Sequence, residues 1–277
     1  PIAVLVDYTS LFPKKDDILK FLWETYHVDS ISGQWDYIEP VLFGYAAGAV
    51  IASYVENFCT ATDKIAAHFH EWMTAAGGLY LRRHAPYVAT LFTTHATVMG
   101  RCIAGNHLPL YTDLTKFNAD DLARQFNVVA KHSIEKAAAA YHDAFVTVSD
   151  ITANECKFLL GREPDCITPN GFENDFVWTG EEYDAKRAEA RKTMISVAEA
   201  CLGEKFAEEP LIIGTSGRYE FRNKGIDVFI ESLKKLAASS RLKRQVLAYI
   251  TVPAANRGPR ADLQAHLADP SKPIDGG

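Results

Sequence analysis

The stretch PLIIGTSGRYEFRNKGIDVFIESL, residues 210–233, predicts a strand, a turn and a helix in direct succession. Residues 210–216 are a short apolar run, which is typical of a strand covered on both faces. Apolar residues then recur at the spacing of a helix face, at Ile226, Phe229, Ile230, Leu233 and Leu236. A buried strand followed at once by a helix is the repeating unit of a parallel α/β sheet, so this stretch predicts an α/β fold.

The same alternation of strands and helices extends through the rest of the chain. Predicted strands cover residues 2–8, 64–70, 87–95, 144–149, 166–171 and 245–253, and predicted helices cover residues 41–59, 119–141, 184–201 and 225–239. Thr152 and Glu155 form a Thr-x-x-Glu capping box, which marks the start of another helix. Asn170 with Gly171 predicts a tight turn. This alternation indicates parallel sheets covered by helices.

A charged segment, residues 173–209, separates two strand-rich regions and indicates a passage between domains. We therefore predict two domains, residues 1–172 and residues 173–277. The first residue is a proline inside an apolar run, and the chain trails off soon after a strand. We expect the chain to be a piece of a longer polypeptide.

Composition and charge narrow the function classes. Of the 277 residues, 48% are hydrophobic and 23% are charged, which is typical of a soluble globular protein. The net charge of -6 disfavours nucleic acid as a partner, since phosphate backbones attract basic surfaces. Five cysteines without a Cys-x-x-Cys pair indicate reduced thiols and a cytoplasmic protein. The most apolar stretch, residues 41–55, is shorter than the ~20 residues of a membrane-spanning helix, so no membrane partner is expected.

Candidate site residues follow the predicted strands, because parallel α/β sheets bind ligands at the carboxyl ends of their strands. Those positions hold His70, Glu71, His95, Ser149, Asn170, Arg218 and Lys224. For Asn170 the alternative is a tight turn with no further role.

Arg218 and Lys224 flank the turn after the strand at residues 210–216, with Gly217 just before the first and Gly225 just after the second. Gly217 allows a sharp turn, and the N-terminus of the following helix favours an anion. A guanidinium and an ammonium can together neutralise a diphosphate. The motif is neither a Walker loop nor the Gly-x-Gly-x-x-Gly dinucleotide motif. The alternative is a basic turn exposed to solvent.

Two motifs that contain histidine can each be interpreted in more than one way. In a strand, His68 and His70 share a face opposite Phe69, and the pair predicts structural histidines, a polar ligand contact or a zinc site. The zinc motif His-Glu-x-x-His is incomplete, because residue 74 is threonine. The polar residues around His95 predict either a cleft for a hydroxyl-rich ligand or turn and N-cap chemistry. They are Thr93, Thr94 and Thr97.

Five motifs occur together and in one order. They are HFHEW (68–72), FTTHATVMGR (92–101), VSDIT (148–152), ITPNG (167–171) and GRYEFRNKG (217–225). In this order they resemble the glycogen synthases of glycosyltransferase family three. The last motif is the most specific, and the resemblance covers most of the chain.

The resemblance implies a GT-B architecture, of which this chain represents a part: two Rossmann-like lobes with parallel sheets, facing an interlobe cleft. The first domain would form the acceptor side and sugar pocket, and the second would bind the nucleotide sugar. The implied activity is transfer of glucose from UDP-glucose to the non-reducing end of an α-1,4-glucan such as glycogen, with retention of the anomeric configuration. No metal and no cofactor are implied, and homo-oligomerisation stays open.

The resemblance also assigns roles to individual residues. Arg218 and Lys224 would hold the pyrophosphate of the donor, and His70 would contact the transferred sugar. Asn170 and His95 are further candidates for the same site.

Two departures from the family pattern limit these expectations. The family's lysine with a glycine-rich loop near the N-terminus has no counterpart in the sequence, and neither have two glutamates of the C-terminal lobe. We therefore expect this piece to be inactive alone. Three alternatives stay open: an ADP-glucose-dependent glucan synthase, a non-catalytic glucan- or nucleotide-binding protein, and a metal-dependent hydrolase. The hydrolase would use His68, His70, Glu71 and His95.

Overall fold

A computed structural model of the chain describes residues 2–239 and 242–274 and divides the chain into two compact units. The first unit comprises residues 1–171, and the second comprises residues 172–277. Each unit has its own parallel sheet, with helices between successive strands. The predicted α/β class with parallel sheets is therefore confirmed.

The first unit is built on a four-stranded parallel sheet. Its strands are β1 (Ala66–His70), β2 (Ala89–Thr94), β3 (Ala144–Thr147) and β4 (Cys166–Ile167), in this order across the sheet. Its helices are α1 (Lys15–Tyr26), α2 (Trp35–Phe58), α3 (Glu71–His84), α4 (Val98–Gly105), α5 (Leu110–Asp113), α6 (Ala119–Gln125), α7 (Val129–Tyr141) and α8 (Asp150–Glu155). The four strands predicted between residues 64 and 171 and the helix predicted at residues 41–59 are confirmed.

A row of aromatic side chains fixes the orientation of the sheet. Phe69, Phe92 and Phe145 lie opposite one another on β1, β2 and β3, and none is more than 4% exposed. Burying a side chain of this kind contributes about 1.5–3 kcal/mol. Because alternate residues of a strand point to opposite faces, His68 and His70 are turned away from this core.

Helices α2 and α3 approach so closely that only glycine fits at their crossing. A Cβ atom at Gly48 would lie 2.5 Å from the carbonyl oxygen of Gly77 and 2.9 Å from its Cα. A Cβ atom at Gly44 would lie 3.1 Å from the carbonyl oxygen of Thr74. The obstructing atoms belong to the backbone, so they cannot rotate away as a side chain would.

Replacing Gly48 by alanine is expected to lower the free energy of unfolding of the first unit by about 1–3 kcal/mol, because the two helices must separate. Gly105→Ala is the matched control: a Cβ there meets no atom within 4 Å, and alanine favours the helix. Urea unfolding followed by tryptophan fluorescence measures both, since Trp23, Trp35 and Trp72 lie in this unit. An unchanged unfolding midpoint for Gly48→Ala would contradict the close crossing.

Helix α2 departs from the expectation about membranes. It has 24 residues, and its length and hydropathy are sufficient to cross a membrane. The prediction that no stretch is long enough is wrong, because the helix extends beyond the apolar run at residues 41–55 in both directions. Tyr37, Val41, Leu42 and Val55 of this helix are buried in the core of the first unit. The core helix of a soluble protein has the same length and hydropathy.

The second unit contains the strand, turn and helix predicted at residues 210–233. Strand β5 (Leu211–Ser216) pairs in parallel with β6 (Val246–Thr251), with Ser216 opposite Thr251. Its helices are α9 (Gly180–Leu202), α10 (Ile226–Ala237) and α11 (Ala261–Ala268). The predicted strands at residues 210–216 and 245–253 and the predicted helices at residues 184–201 and 225–239 are confirmed.

Residues 2–8 do not form the predicted strand. Ile2 and Leu5 are each 96% exposed, and neither sheet of the described chain includes this segment. Apolar and β-branched residues favour a strand only where neighbouring strands and helices cover them. No such neighbour is present in residues 2–239 and 242–274.

The predicted helix at residues 119–141 is interrupted. Helix α6 ends at Gln125 and α7 begins at Val129, because Asn127 adopts a left-handed φ of 55° between them. Asparagine accepts this conformation more readily than most residues do. The helical spacing predicted the apolar face correctly but carried no sign of the break.

Two local signals have other roles than those predicted. Ser149 caps α8, and its Oγ accepts a hydrogen bond from the backbone N–H of Thr152 at 3.2 Å. The prediction that Thr152 begins a capping box is therefore wrong, because Thr152 lies inside the helix. Asn170 and Gly171 lie in a segment that has neither a turn nor regular secondary structure. The predicted tight turn is therefore wrong: β4 is the last strand of its sheet in the described part of the chain, and the chain continues from it into the second unit.

Candidate functional site

Three histidines lie side by side at the carboxyl ends of β1 and β2. The rings of His68 and His70 are 4.1 Å apart, and those of His70 and His95 are 5.5 Å apart. His68 Nε2 lies 2.7 Å from Thr93 Oγ1, and His70 Nδ1 lies 3.3 Å from His95 Nε2. His68 and His70 lie on the face opposite Phe69, as predicted. Because β1 pairs with β2 so that His70 is opposite Thr93, His95 follows closely enough to contact His70.

The environment of His70 disfavours its charged form. Partial burial lowers its pKa below the usual value, and the electrostatic effect of His68 and His95 on a charged His70 lowers the pKa further. A neutral imidazole has one donor and one acceptor nitrogen. At neutral pH, His70 can therefore exchange hydrogen bonds with a hydroxyl group but does not offer a positive charge.

NMR titration of the imidazole ring is expected to give His70 a pKa below 6.5, because burial and two neighbouring imidazoles oppose its protonation. Replacing His95 by glutamine removes one of the two repulsions but leaves the burial. This variant is expected to raise the pKa of His70 only partway towards 6.5. A pKa of His70 above 6.5 in the parent chain would contradict this description of the site.

Glu71 connects the end of β1 to the turn that carries His95. Its Oε1 accepts a hydrogen bond from the backbone N–H of His95 at 2.9 Å. Glu71 itself adopts a left-handed φ of 63°, which is strained for a residue with a side chain. Strain of this kind persists only where surrounding contacts hold it, and it is frequent at functional sites.

The threonines of the second polar motif are satisfied inside the protein. Thr97 caps α4 and accepts a hydrogen bond from the N–H of Gly100 at 2.9 Å. Thr93, Thr94 and Thr97 are at most 2% exposed. The turn and N-cap alternative thus accounts for Thr94 and Thr97, and Thr93 instead contacts His68. His95 remains half-buried and faces His70.

Two buried carboxyl groups lie near this turn. The sequence did not indicate Glu135, and it indicated Glu155 only as part of a capping box. Glu135 is fully buried; its Oε2 accepts from the N–H of Val98 at 2.9 Å, and its Oε1 lies 3.1 Å from Thr94 Oγ1. Burial raises the pKa of Glu135 to about 8. Glu155 accepts from Thr97 Oγ1 at 2.8 Å and from the hydroxyl of Tyr111 at 3.1 Å. In the sequence, Glu135 precedes a lysine and a run of alanines (EKAAAA), a pattern that does not indicate a buried glutamate.

Ser149 and Asn170 also follow strands but are not brought against His70. Ser149 caps α8, and Asn170 is exposed beyond β4. Strand β4 is three places from β1 in the sheet. Neighbouring strands are ~4.8 Å apart, so the end of β4 lies about 14 Å from the end of β1 along this edge.

Arg218 and Lys224 lie in the turn of the second unit, and both side chains are exposed. Bends and turns cover residues 217–225, and α10 begins at Ile226. The stem of Lys224 passes beside Gly217, where an added Cβ would lie 3.8 Å from its Cγ and Cδ. Gly225 precedes the helix with a left-handed φ of 67°, which glycine adopts without strain.

The guanidinium of Arg218 has one acidic neighbour. Its NH2 nitrogen lies 3.1 Å from Glu220 Oε1, and the two side chains are 58% and 33% exposed. An exposed ion pair of this kind contributes about 0–1 kcal/mol. A phosphate group can therefore replace Glu220 as the partner of Arg218 at little cost.

Metal binding has no support in the geometry. Within residues 2–239 and 242–274, no group of three or more histidine, cysteine, aspartate and glutamate side chains is arranged to hold a metal ion. The close histidines of the first unit instead bond to one another and to Thr93.

Comparison with known proteins adds a further observation. A family model described as glycogen synthase matches residues 1–262. The chain belongs to the glycogen synthase family. Two similar proteins are the glycogen [starch] synthases of Dictyostelium discoideum, 32% identical over 262 residues, and of Neurospora crassa, 32% identical over 261 residues. Glycogen [starch] synthase isoform 2 of Saccharomyces cerevisiae is 31% identical over 264 residues.

The alignments with these three glycogen synthases cover different shares of the two chains. They include 92% of this chain but only 29%, 36% and 37% of the respective relatives. The chain thus spans about a third of the length of the curated relatives it matches. The family resemblance predicted from the five ordered motifs is confirmed over most of the chain.

Proposed function

We propose that this chain belongs to a retaining glucosyltransferase that adds glucose from UDP-glucose to the non-reducing end of an α-1,4-glucan during glycogen synthesis. The observation that carries the proposal is the glycogen synthase match over residues 1–262. That range includes both the histidine cluster of the first unit and the basic turn of the second. The names of the relatives support the activity, and the donor and the stereochemistry are our inference.

Arg218 and Lys224 would bind the pyrophosphate of the donor. Both are exposed in a turn at the carboxyl end of β5, where parallel α/β sheets bind ligands. When the bond from glucose to phosphate breaks, negative charge grows on the departing nucleotide. Two fixed cations stabilise that charge more strongly in the transition state than in the bound donor, which accelerates the reaction.

His70 would contact the transferred glucose. The lowered pKa of His70 supports this role, because a neutral imidazole can both donate to and accept from sugar hydroxyls. His95 would assist through its contact with His70, and Asn170 would contribute from the segment that follows β4. We further propose a two-lobed GT-B arrangement, a cytoplasmic location, no metal and no cofactor. Homo-oligomerisation stays open.

Two other functions compete with this proposal. An ADP-glucose-dependent glucan synthase would use the same phosphate-binding residues, because neither cation reads the base. A non-catalytic glucan- or nucleotide-binding protein would keep the fold without the reaction. The metal-dependent hydrolase has lost its support, since the described residues offer no metal-holding cluster.

The test is an assay of the complete protein that contains this chain. We expect it to transfer radiolabelled glucose from UDP-glucose to glycogen, with release of UDP and formation of α-linked product detectable by NMR. ADP-glucose at the same concentration is the control donor, and we expect slower transfer from it. Faster transfer from ADP-glucose would favour the first competitor, and binding of UDP without transfer would favour the second.

A further inference from the structure

Glu135 of α7 joins both ends of the turn that carries His95. Its Oε2 accepts a hydrogen bond from the N–H of Val98 at 2.9 Å, and its Oε1 lies 3.1 Å from Thr94 Oγ1. The side chain is fully buried, so bulk solvent does not reach it. One carboxyl group therefore closes the turn from Thr94 to Val98.

The hydroxyl group of Thr94 has two acceptors within hydrogen-bond distance but only one hydrogen to donate. Thr94 Oγ1 lies 3.1 Å from Glu135 Oε1 and 3.2 Å from the carbonyl oxygen of Ala96, but it carries a single hydrogen. An ionised Glu135 therefore competes with the carbonyl of Ala96 for the one hydroxyl hydrogen of Thr94. If Glu135 is protonated, its hydroxyl donates to Thr94 Oγ1, and Thr94 donates to Ala96. The protonated form thus gives each of the two contacts its own hydrogen.

The surroundings of Glu135 act in the same direction. The titratable groups that face it are Glu71 at the start of α3, Glu155 at the end of α8, and the thiols of Cys102 and Cys156. The N-terminus of α4 acts in the opposite direction, because it favours a negative charge. Desolvation is the largest effect on the pKa of Glu135 and raises it. The hydrogen bonds from Val98 and Thr94 lower the pKa, both neighbouring carboxylates raise it, and the net pKa is raised.

We propose that Glu135 is a positioning residue for the histidine site and that it works as a neutral carboxylic acid, tying Thr94, Ala96 and Val98 into one fixed turn. His95 lies in the middle of that turn, and its Nε2 is 3.3 Å from His70 Nδ1. Fixing the turn therefore fixes both imidazoles. The consequence for catalysis rests on the proposed function, whereas the protonation and the geometry do not.

Glu135→Gln in the 277-residue chain tests the geometry, because the amide can donate to Thr94 and accept from Val98 as the carboxylic acid does. At pH 7 we expect this variant to leave the ring-nitrogen NMR shifts of His70 and His95 unchanged. Between pH 7.5 and pH 9, we expect these shifts to move in the parent as Glu135 ionises and to stay constant in the variant. Glu56→Gln, an exposed change on α2, is the control and should behave as the parent.

A second measurement reads the proton directly. In a chain labelled with 13C-carboxyl glutamate, the Glu135 signal is assigned by its loss in Glu135→Gln. We expect this signal at the protonated position at pH 6.5 and a titration near pH 8. An ionised signal at pH 6.5 would overturn the proposal, as would histidine shifts that Glu135→Gln changes at pH 7. Neither outcome requires a variant that risks unfolding.

Kinetics of the complete protein separate this inference from the proposed function. We expect Glu135→Gln to match the parent rate of glucosyl transfer at pH 7 and to exceed it two- to several-fold above pH 8. An identical pH profile in both proteins would overturn the positioning role. If the complete protein has no transfer activity, the proposed function fails, and the NMR titrations still decide the protonation and role of Glu135.

Discussion

Replacing Arg218 by alanine is expected to lower the rate of glucosyl transfer by the complete protein about 100-fold, which corresponds to about 3 kcal/mol of transition-state stabilisation. The reason is that the departing diphosphate loses a donor fixed near its growing charge. Lys224→Ala is expected to reduce kcat/KM by a similar factor. Steady-state kinetics with UDP-glucose and glycogen measure both effects.

Lys235→Ala provides the control for charge. Lys235 is an exposed lysine on α10, the helix that follows the basic turn, and its removal changes the net charge as Lys224→Ala does. We expect this variant to retain the parent kcat/KM. A tenfold or greater loss in Lys235→Ala would mean that the overall charge of the second unit, rather than two positioned cations, governs the reaction.

The free energy of unfolding of the first unit is expected to fall, relative to Glu135→Gln, by about 2 kcal/mol between pH 5.5 and pH 7. In the folded chain burial raises the pKa of Glu135 to about 8, above its model-compound value of 4.5. Between these values the folded state holds a proton that the unfolded state has released. Stability then decreases as pH rises, by about 1.4 kcal/mol per pH unit, and levels off above pH 8.

The comparison with Glu135→Gln isolates this effect from that of His142. Burial lowers the pKa of His142 to about 4, so the unfolded state binds the extra proton between pH 4 and pH 6.5, and His142 makes stability rise with pH. This contribution is the same in both proteins and cancels in the difference. Urea unfolding at several pH values measures it. A difference that does not vary with pH would show that Glu135 is ionised in the folded chain.

Much of the fold was predictable because the strands of parallel sheets are continuous apolar runs. The strand at residues 64–70 and the stretch at residues 210–233 were predicted for that reason, and both are confirmed. The apolar run at residues 2–8 looks the same in sequence but is exposed in the structure. What distinguishes it is that no strand of the described residues lies beside it, and this is a tertiary property that no local pattern contains.

The helices that were not predicted show a related limit. Helix α3 contains Ala75, Ala76, Gly77 and Gly78, which give a weak helical pattern, yet these four residues are buried. Their small size is what allows α2 to pass close by. That glycine is required at such a crossing can be seen only when the position of the opposing backbone is known.

The candidate site was predictable only at its surface. His70 and His95 were expected from their positions at strand ends, and the sheet register places them together. The carboxyl group that closes the turn below them, Glu135, comes from a helix 40 positions further along the chain. Its importance follows from burial and from the count of donors and acceptors, which the sequence does not contain. The site roles of Arg218 and Lys224 stay predictions.

The most direct measurement for the central claim, that Arg218 and Lys224 bind the diphosphate of the donor, is calorimetric titration of UDP and of uridine into the complete protein and its Arg218→Ala variant. Uridine lacks the diphosphate, so its affinity should be the same in both proteins. We predict that UDP binds the variant at least tenfold more weakly than the parent, which is about 1.4 kcal/mol. Equal affinity for UDP in the two proteins would contradict the account.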